Sequence, residues 1–270
     1  MKRSLLFLLT LSLLLATASP GIALATIALP DGAVLNDPSL TSAKVAQLQK
    51  LTAHKDAALG VVKAVGSVQS MSLNKYGRLV KTVTNYTQET TYWCGPASTR
   101  QTLGFHKAIS GSGTGLPSQS TLAHKIGTNT NGSATSGIVS ALNSYDGTFG
   151  NVSYVGSNIV GTANPYEAFV NRIGLDLQQP NSSGYSPCIP ITLMQTAKIP
   201  RYNSHASRHY MSIGGIDDTV STMKMRSVDP NNNSAYHGVY WDPVGSTTAN
   251  GLCRACYQAD LDGTNLAMCW

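Results

Sequence analysis

The chain has 270 residues, a formal charge of +6, 42% apolar residues and only 12% charged ones. That balance excludes a disordered, highly charged chain, and the absence of any lysine or arginine run argues against a nucleic-acid-binding protein. The length suits one buried domain of roughly 200 residues plus an extension, expected as a monomer; the mild basicity is compatible with weak attraction to an anionic cell-envelope surface.

Lys2 and Arg3 precede an apolar run over residues 5–15, and Ala23 and Ala25 supply small residues at the positions that matter for cleavage. This predicts a secretory signal peptide over residues 1–25, too short in its apolar part to span a bilayer, with the mature chain starting near Thr26 outside the cytoplasm. No other stretch approaches the roughly 18–20 apolar residues of a membrane helix. There are five cysteines, at positions 94, 188, 253, 256 and 269. In an oxidising compartment four of them are expected to pair as disulfides, leaving one over, although parity does not say which. Cys253-x-x-Cys256 lacks a second such pair or a nearby histidine pair, so disulfide chemistry is preferred to a redox motif or zinc site, and no metal or cofactor is expected.

Residues 26–82 carry no cysteine–histidine chemistry and form an N-terminal extension, either a pro-segment shielding a reactive thiol or a piece packed on the domain, the second being preferred. Within it, Val45, Leu48 and Leu51 recur at helical spacing over residues 43–58, after turn and cap signals at Asp37-Pro38-Ser39 and Thr41-Ser42. The domain is placed at residues 83–270. A helix is predicted from Cys94-Gly95-Pro96 up to Gly104, a short capped helix over residues 118–126 ending at Gly127, one opened by Thr135-Ser136, and one over residues 165–173 with Pro165 in its first turn. Residues 188–194 alternate like a strand that Pro190 demotes to an edge or bulge. Residues 209–216 and 223–228 read as an antiparallel pair, with a further strand near residues 237–241. Helices first and strands after indicate an α+β fold.

The stretch Tyr92-Trp93-Cys94-Gly95-Pro96-Ala97-Ser98 holds the candidate chemistry. Proline is tolerated in the first turn of a helix, so Cys94 falls at a helix N-terminus, where the dipole favours a thiolate. Alone, it is as readily half a disulfide. A thiol nucleophile also needs a base, a group to orient the base, and donors for the oxyanion. Gln88 lies just upstream, and its amide with the Cys94 N–H would make such a donor pair. His209 opens an apolar strand, and Asp229 ends the next one, so in a hairpin the two are neighbours across the ladder. His205 and Asp242 compete for these two roles, less well placed.

Gln88-x5-Cys94-Gly95-Pro96-Ala97-Ser98, then His209-Tyr210 opening an apolar strand, then Val228-Asp229-Pro230, resembles the C39-like cysteine peptidases, papain-like folds related to bacteriocin-processing peptidase domains. The resemblance spans roughly residues 85–245. It implies a papain-like fold, with Cys94 as nucleophile, His209 as general base and acid, Asp229 as orienting residue and Gln88 as oxyanion donor, hydrolysing a peptide or protein substrate through a thioester. Relatives fused to exporters act in the cytoplasm on double-glycine leaders; the expected signal peptide and the lack of a transporter keep that substrate from carrying over. A cysteine amidase acting on cell-wall peptide and a non-catalytic papain-like binding module are the alternatives.

Overall fold

The computed structural model describes residues 31–58, 75–178 and 187–270; the expected signal peptide lies outside them. Six helices, α1 (Ser42–Ala58), α2 (Cys94–Ser110), α3 (Gln119–Ile126), α4 (Thr135–Asn143), α5 (Pro165–Leu177) and α6 (Leu252–Leu261), accompany seven strands, β1 (Arg78–Val80), β2 (Gly156–Ser157), β3 (Ile191–Gln195), β4 (Arg208–Asp217), β5 (Lys224–Asp229), β6 (Gly238–Pro243) and β7 (Met268–Cys269). The strands make one antiparallel sheet in the order β2-β7-β3-β4-β5-β6, with β1 also on β4. The α+β fold is as the sequence indicates.

Strand β4 is buried along its whole length. Its alternate residues enter two cores: Tyr210 packs with Leu103, Leu122, Ile138 and Leu193, and Met211 and Ile213 pack with Phe169, Ile173, Met194 and Val228. A strand buried on both faces reads as a continuous apolar run rather than an alternation, which is why residues 209–216 look so uniformly apolar. Helix α2 lies on β4 and is backed by α3 and α4. Gly95 sits where any side chain would run into Ser133, in the loop before α4, so the cysteine end of α2 and that loop can close together.

Two local expectations change. Helix α2 passes through Gly104 and ends at Gly111, which takes the left-handed conformation at φ 67°. A mid-helix glycine costs only about 1 kcal/mol, and a Cβ at Gly104 would make only ordinary contact with the Tyr86 ring, at 3.5 Å. Pro190 does not make β3 an edge, because β3 pairs with β7 on one side and β4 on the other. The proline stops one residue short of the ladder, and its carbonyl accepts from Ile213 N at 2.8 Å. Of the cap signals, Ser118 accepts from Thr121 N and Gly127 closes α3 in the left-handed conformation, whereas Thr135 is already the first residue of α4, whose N-cap Ala134 makes no side-chain bond.

The expected disulfides are not found: all five cysteines are buried and none is joined to another. Cys253 and Cys256 lie on the buried face of α6, while Cys188 and Cys269 pack in the core beside α4. Burial pushes the Cys188 and Cys253 thiols up to about 12 and the Cys256 and Cys269 thiols well above their ordinary value. They behave as small apolar side chains, with Cys256 Sγ donating to Ala267 O at 3.6 Å. Among the described residues no helix is long and apolar enough to cross a membrane.

The extension is bound to the domain by buried charge. Lys55 of α1 pairs with Asp176 of α5 at 3.1 Å, and Asp56 takes Arg172 through two nitrogens at 3.1 and 2.9 Å. Lys55 also stands over the Trp270 ring at 4.6 Å. Removing one partner of a buried pair leaves an uncompensated charge, at a cost of about 3–5 kcal/mol. Lys55→Ala is therefore expected to lower unfolding stability by that order in a urea titration, and Lys55→Met with Asp176→Leu to recover most of it. Equal losses in the single and double variants would contradict this.

Candidate active site

Cys94 is the first residue of α2, at the end where the first backbone N–H groups have no partner within the helix. The thiol is fully buried, and its Sγ accepts from Tyr210 N at 3.3 Å. Strand β4 thus delivers both Tyr210 N and the neighbouring His209 to the start of α2. His209 Nε2 and Asp229 Oδ1 are 2.8 Å apart across β4 and β5, the neighbours that the hairpin predicts. With Nε2 turned to the carboxylate, Nδ1 is the ring nitrogen left for the sulfur.

Electrostatics tie the three residues together. Burial by itself would lower the His209 pKa, but the Asp229 carboxylate, and after it the Cys94 sulfur with its hydrogen bond, raise it to about 10. Burial would raise Asp229, yet His209, Arg201 and the Tyr202 hydroxyl hold it down to about 2. The arrangement favours an imidazolium beside the Asp229 carboxylate, which is the partner that an ion-paired thiolate requires.

Asp229 has more partners than the sequence discloses. Its Oδ2 accepts from Arg201 Nη2 at 2.7 Å and from Tyr202 OH at 2.6 Å, and its Oδ1 also accepts from Asn231 N at 3.0 Å. Arg201 and Tyr202 form a 3-10 turn, Pro200–Tyr202, in what reads as an ordinary polar loop. Tyr202 stacks on Tyr236 with ring centroids 4.3 Å apart, and Arg201 lies over Tyr240 at 4.2 Å. The one available signal is the Arg-Tyr pair shortly before the histidine, without a pattern to mark it. The rival Asp242 serves Arg201 Nε, at 3.1–3.2 Å, and Ser227 Oγ, at 2.6 Å. The His205 ring lies 6.0 Å from that of Tyr236, centroid to centroid, and its carbonyl accepts from Thr196.

Gln88 is buried in the loop before α2, but its amide nitrogen is given to the carbonyls of Thr90 and Thr91, at 2.9 and 3.0 Å. The structure therefore brings Cys94, His209 and Asp229 together and leaves the Gln88 donor bound within its own loop. Among the described residues no group of three or more His, Cys, Asp or Glu side chains is arranged to hold a metal ion.

An antiparallel sheet carrying the histidine and carboxylate, with a cysteine at the start of the helix packed on it, has the arrangement of the papain-like class. The family model described as "Peptidase_C39 like family" matches residues 80–258, and the chain belongs to that family. No curated protein matches it.

The pair's contribution to stability follows from the two shifts. His209 is raised above its ordinary 6.5, so its contribution is complete below about 6.5 and is lost as pH rises through about 10. Asp229 is held below its ordinary 3.8, so its contribution is complete above about 3.8 and is lost as pH falls through about 2. Asp229→Asn is expected to bring the His209 titration, followed by NMR, down below 6.5, and to remove the alkaline loss of stability; an unchanged titration counts against the pairing. Tyr202→Phe deletes one donor to a buried carboxylate and is expected to cost about 1.5–3 kcal/mol in chemical denaturation. A loss within about 0.5 kcal/mol would assign Tyr202 to packing alone.

Proposed function

We propose that the chain is an exported cysteine peptidase of the C39-like type, in which Cys94 attacks a peptide carbonyl, His209 moves the proton and Asp229 orients His209. The observation that carries this is the 2.8 Å contact between His209 and the fully buried Asp229, next to a cysteine at a helix N-terminus. In the first step the Cys94 thiolate forms a C–S bond, the carbonyl electrons move to oxygen, and the Cys94 N–H supplies a hydrogen bond to that oxyanion. Collapse of the intermediate expels the amine, which takes its proton from the His209 imidazolium. His209, now neutral, removes a proton from water, whose oxygen attacks the thioester carbonyl, and the Cys94 thiolate leaves as the acid product forms.

Gln88 would be the second oxyanion donor only after releasing the Thr90 and Thr91 carbonyls. Its present bonding, with a sealed Cys94, favours a second reading, a non-catalytic papain-like module that binds peptide without cutting it. The same thioester chemistry would also serve an amidase acting on cell-wall peptide, so protein and peptidoglycan substrates should be assayed side by side.

Cys94→Ala is expected to lower kcat/KM for hydrolysis by at least about 10³-fold while the fold is kept. Hydrolysis at the wild-type rate in that variant would remove Cys94 from the mechanism. Peptide binding by calorimetry with no turnover, in a chain whose Cys94 is open to iodoacetamide, would select the binding module. Gln88→Ala is expected to lower kcat by about 10²–10³ with little change in KM if the amide turns toward the oxyanion.

A further inference from the structure

The thiol is not merely buried in the core; an extended segment of the same chain, with one isolated bridge at Ala33, covers it. Gly32 lies directly against Cys94, and an added Cβ there would overlap the sulfur while standing 3.4 Å from the Cys94 Cβ. Gly32 N donates to Arg208 O at 2.8 Å, and Arg208 N donates to Asp31 Oδ1 at 2.6 Å. Both backbone groups of the residue before His209 are thereby occupied. On the other side of the sulfur, Ser133 N donates to Gly32 O and Val34 N to Ser133 O, both at 3.0 Å, making a parallel bridge between Ala33 and Ser133. The segment thus spans from the base of His209 to the loop before α4, straight across Cys94.

Downstream contacts hold it there. Asn265 Nδ2 donates to Val34 O at 3.1 Å, Thr264 N to Asn36 Oδ1 at 3.1 Å, and Ser136 to Asp37 Oδ2. Gly32 and Ala33 are buried, whereas Pro38, Ser39 and Thr41 are exposed. Beyond them α1 is fixed by its two buried ion pairs.

We propose that residues 31–37 are an inhibitory strand that closes the Cys94 cleft, so that the folded chain is latent until the strand is displaced or cut free. The proposal rests on Cys94 being the nucleophile. It deepens the pro-segment alternative by naming the blocking residues and by separating them from α1, which stays docked. The strand is an inhibitor and not a substrate because of its bonding. The Gly32 carbonyl is tied to Ser133 N and so is not offered to the oxyanion donors. Glycine is required at position 32 because any side chain would occupy the place of the sulfur. Release breaks a handful of hydrogen bonds, each worth about 0.5–1.5 kcal/mol net, and leaves the buried ion pairs of α1 intact. A cut in the exposed turn at residues 38–41 would free the strand by hydrolysis of one peptide bond.

The test uses the full chain. Gly32→Leu is expected to expel the strand and to raise the rate of Cys94 alkylation by iodoacetamide about tenfold or more, located by peptide mapping. The other four thiols, buried in the cores, should stay unreacted. Peptide hydrolysis should rise in parallel. An alkylation rate equal to that of the wild-type chain overturns the proposal. Faster alkylation without hydrolysis of any peptide or peptidoglycan upholds the seal and overturns the hydrolase. Wild-type hydrolysis as fast as that of Gly32→Leu does the reverse. Should Gly32→Leu fail to fold, Gly32→Cys provides the second arm. It is expected to form a disulfide with Cys94 on mild oxidation, reversed by a thiol reductant, and failure to form one in the folded chain overturns the proposal.

Discussion

A single buried carboxylate organises the site. Asp229 has no solvent exposure, and a carboxylate there must be paired and hydrogen-bonded or remain unionised. Four groups meet that requirement: the His209 imidazole, the Arg201 guanidinium, the Tyr202 hydroxyl and Asn231 N–H. They come from β4, the 3-10 turn before it and the loop after β5. Arg201 carries the network on to Asp242 of β6. The demand of one charge therefore fixes the mutual placement of β4, β5 and β6, and it sets the angle at which the imidazole meets Cys94.

The helix supplies the complementary half. Cys94 is held because α2 packs its length on β4 and its first turn on the Ser133 loop, with no room at Gly95 for a side chain. The same loop and the backbone of Arg208 make the two rims of the cleft, and both are taken by the N-terminal strand. Chemistry and access are thus governed by different bonds. The charge pairing sits in the sheet and is permanent, while the closure rests on a few backbone hydrogen bonds from a short strand.

The extension divides in the same way. Helix α1 is joined to α5 by Lys55–Asp176 and Asp56–Arg172, all four side chains nearly inaccessible to water. Stripping it away would leave Asp176 and Arg172 as unpaired buried charges, so it belongs to the folded unit energetically. The strand ahead of it offers no comparable anchor, and the turn between the two is open to solvent.

Much of this was legible in the amino-acid order. Local signals place the helices at α1, α3, α4 and α5, although α1 buries Leu48, Thr52, Lys55 and Asp56 and leaves Leu51 exposed, and α4 follows Ala134 without a side-chain cap. Cys94 at a helix start and the His209–Asp229 neighbours followed from Cys-Gly-Pro and from two consecutive apolar strands. The tertiary structure alone decided the rest. Gly104 stays helical and Pro190 leads into a central strand because packing and ladder position override propensity. The four other cysteines are thiols within the cores and not the disulfides that their number suggests. Arg201 and Tyr202 reach Asp229, Gln88 turns to its own loop, and Gly32 settles on the Cys94 sulfur. Each of these unites residues distant in sequence or sets a side-chain direction, and both depend on the three-dimensional packing that local periodicity does not encode.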